Sequence, residues 1–256
     1  MSLVSFAVRH IVSRLIVGQT WAGSHIHNSP VDPLPDWEGA EGDDTPRISI
    51  YTTERDLDVV GKQTQGRSTS LSIAFNIIVP PKVVVLDGET PQIEFDTRTA
   101  GGAASTEFVA RQIERALHFG NPEWLAIWHL FVTKIDAVKN RPLVYQIGSE
   151  TEVPVLSVAY DLNCIPEPFF GEQGMTPGWQ ALYDAMAADS ATESLAEVIR
   201  SLIVAPEGLS NWEQARHQMG WTVEDARVAG IAPADPTTTD DAAILTEITT
   251  SDIEDE

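Results

Sequence analysis

The sequence predicts an α/β protein: a mixed, largely antiparallel sheet flanked by helices, with a helical C-terminal extension and an acidic tail. Three observations carry this. Leu71, Ile73, Phe75, Ile77 and Val79 alternate with Ser70, Ser72, Ala74, Asn76 and Ile78, the period of a half-buried strand. Helical stripes, such as Val109, Ile113, Ala116 and Leu117, separate that strand from two later ones, Leu143–Ile147 and Val153–Ile165. After Phe170 the strand pattern stops, and after Pro233 the chain is rich in aspartate and threonine without a basic residue. These shifts divide the chain into an α/β core at 1–170, a helical extension at 171–233 and an acidic tail at 234–256.

Ser2–Val17 opens the chain with Arg9, Arg14, several serines and no acid. That is the composition of a transit peptide. It also fits a surface helix with Val4, Val8, Ile11, Val12 and Leu15 on one face and Ser2, Ser5, Arg9 and Ser13 on the other. The helix is preferred, because Gly18 stops it and the chain continues without a cleavage-like linker. Arg9, His10 and Arg14 interrupt the apolar stretch, so no secretory signal is expected. A turn, Gln19 to Val31, leads to a strand at Arg47–Thr52. The interval Pro30–Pro46 combines Pro33, Pro35, Gly39 and Gly42 with five acids, Asp36 to Asp44, and reads as an exposed acidic loop around Trp37.

Glu54–Thr69 is polar and carries Arg55, Lys62 and Arg67. If the strands on either side pair antiparallel, it is a long hairpin loop or arm. Val83–Leu86 and Gln92–Phe95, around Asp87-Gly88, read as a smaller hairpin. A helix begins near Ser105 or Thr106 and ends at Gly120. Asn121 and Pro122 start the next, predicted from Glu123 to about Val138. Its apolar residues, Trp124, Leu125, Ile127, Trp128, Leu130, Phe131, Val132 and Ile135, go most of the way round. Such a helix needs cover on several sides, from the core or from a partner subunit.

In the extension, Thr176-Pro177 opens a helix holding Trp179, Leu182, Tyr183 and Met186. Ser190 with Glu193 reads as a capping box before Leu195, Val198, Ile199, Leu202 and Ile203. Ser210 with Glu213 repeats it around Trp212, Ala215 and Met219, and a short helix at Val223–Ala229 closes at Gly230. The tail has two readings: disorder, or an arm whose Ile244–Ile253 segment adds to a neighbour's sheet.

Composition narrows function. The formal net charge is −22 over 256 residues, a field that disfavours nonspecific binding to nucleic acid or to an anionic membrane. No segment approaches the ~20 apolar residues of a membrane span, so no membrane partner is expected. The single cysteine, Cys164, excludes an internal disulfide and any multi-cysteine zinc site, and points to synthesis in a reducing cytoplasm. Its apolar surroundings predict a buried, inert thiol.

Chemistry-bearing motifs are absent: there is no nucleophile elbow, phosphate loop, dinucleotide fingerprint or His-Glu-x-x-His. No catalytic residue, cofactor or metal is therefore assigned. His25 and His27 are the one closely spaced pair of potential ligands, since a His-x-His on a strand puts both rings on one face. Asp32 is nearby, but the sequence suggests no third ligand, and the pair is read as polar turn residues. His118, His129 and His217 sit in separate predicted helices.

The order of helix, Thr-x-Ala-Gly turn, extended segment and Tyr-Thr-ending strand resembles the phage tail terminator (minor tail protein U-like, tail completion) family. The matching positions are Thr20, Ala22, Gly23, Ile26, Asn28, Ser29 and Val31, then Pro46, Ile48, Ile50, Tyr51 and Thr52. With the strand Ser70–Val79, the helix near Glu107–Phe119 and the strand Val155–Leu162, the resemblance covers about residues 4–165. The acidic loop Asp36–Thr45 and everything after Phe170 depart from it. The resemblance implies a structural protein rather than an enzyme. It implies a homo-hexameric ring in the virion, at the head–tail junction, made in the bacterial host cytoplasm. Such a ring caps the tail tube protein and meets a neck or head-completion protein, while DNA passes through its lumen without specific binding. On that reading the interface candidates are Arg55, Lys62 and Arg67 of the arm and Trp124, Trp128 and Phe131 of the apolar helix. The alternatives are another head–tail neck or adaptor protein and, in a different class, a metal-dependent enzyme using His25 and His27.

Overall fold

The computed structural model describes residues 2–30, 45–57, 68–79, 82–84, 92–94, 100–147, 151–168, 174–204, 212–213, 216 and 223–230. The acidic loop with Trp37, Lys62 and Arg67 of the arm, most of the Ser210–Met219 segment and the tail lie outside them. The chain divides into two units: Met1–Pro168 with Thr176–Met186, and Phe169–Met175 with Ala187–Glu256.

The first unit holds a five-stranded mixed sheet in the order β1-β2-β3-β7-β6. Its strands are β1 (Ile26–Asn28), β2 (Arg47–Leu57), β3 (Thr69–Ile78), β6 (Val132–Ile147) and β7 (Thr151–Cys164). β1 runs parallel to β2, and every other neighbouring pair is antiparallel. β4 (Lys82–Val84) and β5 (Gln92–Glu94) form a separate antiparallel pair, and the Asp87-Gly88 turn predicted between them lies outside the described residues. β2 and β3 do pair across the polar stretch, and β2 continues to Leu57 through a bulge between Thr52 and Glu54. The polar segment between the strands is therefore shorter than Glu54–Thr69.

Register explains the core. Leu71, Ile73 and Phe75 on β3 stand opposite Leu162, Tyr160 and Val158 on β7. All six are at most 4% exposed, and Ile48 and Ile50 of β2 are fully buried beside them. Phe75 and Tyr160 meet edge to face with ring centroids 5.5 Å apart. Two helices pack on this apolar side, α1 (Leu3–Ile16) and α2 (Ala100–Phe119), and α3 (Pro122–Phe131) packs against both.

α1 is not the surface helix its serines and arginines suggest. Val4, Ala7, Val8, Ile11, Val12, Leu15 and Ile16 are fully buried, and the polar side is buried too, with Ser5 at 5%, Arg9 at 9% and His10 at 7% exposure. Its polar face lies against chain rather than water, and Arg9 and the helix N-terminus find partners there. Arg9 donates through Nε to Asn28 Oδ1 at 3.0 Å and through a terminal nitrogen to the Thr52 hydroxyl. One guanidinium thus ties α1 to β1 and β2. The N-terminus is served from far along the chain. The backbone N–H groups of Leu3 and Val4 donate to Glu167 Oε2 at 3.1 and 3.3 Å, and the Ser2 hydroxyl donates to Glu167 Oε1. Ser2 Oγ also accepts from the Ser5 N–H at 3.0 Å. The first turn of α1 has no acid of its own, so Glu167 supplies the negative charge that the helix dipole favours.

Gly18 and Gly23, at φ +67° and +57°, reverse the chain into β1. A Cβ at Gly23 would meet nothing within 4 Å, so the left-handed backbone, not a close approach, calls for glycine there.

Two boundaries differ from the periodicity. α2 starts at Ala100, because Ala100, Ala103 and Ala104 are strong helix formers that carry it through Gly101-Gly102. α3 stops at Phe131 instead of about Val138, and the chain passes directly into β6. Val132, Thr133, Ile135 and Val138 are β-branched and fit a pleated sheet. Pairing with β7 from Val132↔Cys164 to Ile147↔Thr151 decides the conformation.

α4 (Pro177–Ala187) begins at the predicted proline and belongs to the first unit through Met186. Its Trp179 meets Phe131 edge to face at 4.9 Å. The second unit holds α5 (Glu193–Ile203) and α6 (Val223–Val228), with Gly230 at φ +72° after it. The Ser190 capping box does not form. Thr192 is the N-cap, without a side-chain cap bond, because Asp189 already organises the preceding turn, accepting from the N–H groups of Ala191, Thr192 and Glu193. The predicted stripe also splits: Ile199 and Ile203 are buried with Ala196, whereas Leu195, Val198 and Leu202 are exposed.

Replacing Glu167 by Ala should lower stability by about 1–3 kcal/mol, because three donors at a part-buried helix end lose their acceptor. Glu167→Gln should retain part of it. Urea unfolding followed by far-UV circular dichroism measures both. A change within about 0.3 kcal/mol for Glu167→Ala would show that water replaces the carboxylate without cost.

Candidate functional site

The interface candidates from sequence separate into four groups. Trp128 and Phe131 are 3% and 0% exposed, buried in their own chain, so neither side chain is available to a neighbour. The near-continuous apolarity of α3 is met by α1 on one side and Trp179 of α4 on another. Trp124 is half-buried, its indole edge-to-face with His10 at 5.6 Å. Arg55 is already engaged: its guanidinium lies 3.2 Å from Glu167 Oε1, so it completes the α1 cap. Lys62 and Arg67 lie outside the described residues.

A different surface is available on the side of the sheet opposite α1 and α2. Register puts Glu54, Ser72, Asp161 and Ala137 in one row across β2, β3, β7 and β6, with Tyr51, Ala74, Ala159 and Lys139 in the next. A third row is Ser49, Asn76, Ser157 and Arg141, of which the first three are buried. These positions are small or polar where the opposite face is large and apolar, which is why the alternation at 70–79 reads so clearly. A cleft of about 700 Å³ runs over this face, lined by Tyr51, Glu54, Asn76, Lys139, Arg141 and Asp161 among others.

Asp161 anchors the cleft. Lys139 Nζ stands 2.6 Å from its Oδ2, and the Ser72 hydroxyl donates to its Oδ1. The hydrogen bond from Lys139, then that from Ser72, holds its carboxyl below the usual carboxylate range. Lys134 and Asp136, 2.6 Å apart, form a second pair on β6. The arrangement is one of fixed, alternating charges on a rigid sheet, suited to contacting a surface. The cleft lining contains no histidine or cysteine beside its serines.

The histidine pair occupies the turn into the sheet. His25 precedes β1 and His27 lies within it, opposite Ser49 of β2, and both are half-buried. Among the described residues no group of three or more His, Cys, Asp or Glu is placed to hold a metal ion. No helix among them is long and apolar enough to cross a membrane.

Cys164 ends β7, 2% exposed, and burial pushes its thiol up to about 12. Tyr160 in the same strand is also pushed up to about 12, by burial first and by Glu114 second. The thiol is thus protonated at neutral pH and behaves as the inert group the sequence predicts.

Sequence reading misses Glu167, Arg9 and Asn28 as structural partners. Separations of 165 residues for Ser2–Glu167 and 43 for Arg9–Thr52 leave no local signal. The one hint is that arginines, Arg9 and Arg14, interrupt the apolar residues of the helix.

No protein-family model matches this sequence, and no curated protein matches it significantly.

Cys164 and Tyr160 both have folded-state pKa values above their ordinary 9.0 and 10.0. A raised folded pKa gives stability that is complete below the unfolded value and lost as pH rises through the folded one. Stability should therefore fall between about pH 9 and 12. Cys164→Ala should confine the loss to the phenol's window above pH 10. Urea midpoints from pH 8 to 11 read this, and identical profiles for the two proteins would exclude the thiol as a contributor.

Proposed function

We propose that this chain is a structural protein of phage assembly: a tail terminator whose copies form a hexameric ring that caps the tail tube and joins it to the neck. The observation that carries the reading is the order of elements. A helix, a Thr-x-Ala-Gly turn, a short strand, the strand through Tyr51-Thr52 and its antiparallel partner follow one another in this chain, and that order is what the resemblance rests on. The resembling positions also have physical roles. Ala22, Ile48 and Ile50 are fully buried, Gly23 makes the left-handed turn, and Asn28 and Thr52 receive Arg9.

The form of the first unit supports assembly. The sheet is open, with the three-residue β1 at one edge and the 16-residue β6 at the other. β6 and β7 continue for four residue pairs, Val144↔Pro154 to Ile147↔Thr151, beyond the last β3 partner at Val155. Val138, Leu143 and Val144 of this edge are exposed. A long edge with exposed valines and leucine is a ready template for another chain, and a head-to-tail contact between identical subunits closes into a ring when the rotation allows it. Six copies carry six times −22, or −132 formal charges, and acidic groups facing a lumen keep DNA from adhering.

Purified protein should form six-fold rings by negative-stain microscopy, with a mass near 168 kDa, six times 28.0 kDa, and no stoichiometric metal by elemental analysis. A strict monomer holding one metal per chain would overturn the proposal in favour of an enzyme using His25 and His27. In the phage, deleting the gene should give tails of uncontrolled length. Normal-length tails that fail to join heads would assign the chain to the neck as an adaptor instead.

A further inference from the structure

The turn after α1 builds a second surface, separate from both the charged cleft and the β6 edge. Within Thr20-Trp21-Ala22-Gly23, Ala22 is fully buried and Thr20 is 7% exposed, yet Trp21 is 55% exposed. Its position is fixed rather than loose: its backbone N–H donates to Gln112 Oε1 of α2 at 2.8 Å, and its ring meets Phe108 edge to face at 5.8 Å. α2 buries Val109, Ile113, Ala116 and Leu117, while Phe108, Arg111, Gln112, Arg115 and Phe119 recur at helical spacing on its other side. Between Trp21 and this stripe runs a groove of about 470 Å³. Phe108 is 56% and Phe119 81% exposed.

Three exposed aromatics on one groove, flanked by arginines, have the composition of a binding hot spot. The charge is the more telling feature. On a chain of net −22, the groove's charged lining is Arg111, Arg115 and Glu114, with Arg111 paired to Glu114. The surface is locally basic and apolar on an acidic protein. Its complement is present in the same sequence. The 26 residues after Gly230 contain eight acids and no Lys, Arg or His, and Ile244, Leu245, Ile248 and Ile253 place aliphatic side chains among those acids. At ~3.3 Å per extended residue such a segment reaches across a subunit.

We propose that the Trp21–Phe108–Phe119 groove is the docking site for the Ile244–Glu256 segment of a second copy of this chain. This rests on the ring reading, which requires a head-to-tail contact between two unlike surfaces of one chain. The aliphatic side chains fill the aromatic groove, and the carboxylates meet Arg115 at its rim.

The test uses the full-length protein with p-benzoylphenylalanine in place of Trp21 and, separately, of Phe119. Half of the copies carry ¹⁵N, so that links between chains are distinguished from links within one. No Lys or Arg follows Arg227, so trypsin releases residues 228–256 as one peptide. After irradiation, links between copies should map to that peptide, and within it to Ile244–Glu256. Arg115→Glu should lower their yield about fivefold, the scale of one exposed ion pair, and Arg115→Lys should keep it. Links only to other peptides, or only within one chain, would overturn the docking inference. Negative-stain rings seen alongside that result would leave the ring reading standing. Absence of rings, with the mapped links present, would remove the ring and keep the docking site.

Discussion

The first unit depends on burying a helix that is not wholly apolar. α1 puts seven aliphatic side chains out of water, and at about 1.5–3 kcal/mol for a large one this is a major source of stabilisation. The same burial takes Arg9 with it, and burial lowers the pKa of its guanidinium. A buried cation is costly unless its donors are matched. Asn28 and Thr52 match them, and they lie on β1 and β2, so the requirement of one side chain ties the helix to two strands. β1 is only three residues long and would be a marginal strand by itself. Its pairing with β2, the left-handed Gly23 and the Arg9 bond together hold it. Glu167 does for the end of the helix what Asn28 and Thr52 do for its middle, and Arg55 balances that carboxylate in turn.

This arrangement explains which parts of the fold are legible in sequence. Strand β3 is legible because its two faces meet different surroundings: large residues under the helices, small and polar ones on the other side. The same clarity fails in α1, where both faces are buried and polarity no longer marks solvent. It fails again at 132–138, where Val132, Ile135 and Val138 extend the apolar pattern of α3 at a spacing that a helix also allows. There the β-branched residues and fourteen residue pairs with β7, a partner far along the chain, decide the outcome. Glu167 has no signature at all, since a helix with no acid in its first turn gives no indication that the acid will arrive from elsewhere. The candidate interface suffers from a related ambiguity. Trp124, Trp128 and Phe131 are the residue types that both cores and interfaces favour, and Trp128 and Phe131 go to the core because α1 and α4 supply the cover that an isolated helix lacks.

The sheet is correspondingly one-sided. Its apolar face is filled by α1 and α2, and its opposite face carries Asp161, Lys139, Ser72 and Arg141 around a cleft. These charges are exposed enough that their pairs add little to stability. The strands that carry these groups fix their spacing across the face.

Seven of the twelve positions that carry the resemblance serve the architecture. Thr20 and Ala22 are buried, Gly23 turns the chain, Asn28 and Thr52 hold Arg9, and Ile48 and Ile50 fill the core. Such positions report the fold, because a change at any of them disturbs the seating of α1. They say less about what the protein touches, which is decided where side chains face outward. The one position that the Thr-x-Ala-Gly pattern leaves unspecified is Trp21, and it is the one that the turn holds out against α2. Buried and exposed side chains therefore alternate along one short turn: the small and buried ones make the reversal possible, and the reversal presents the indole. A protein with the same turn and a different residue at that position would share this fold and present a different surface.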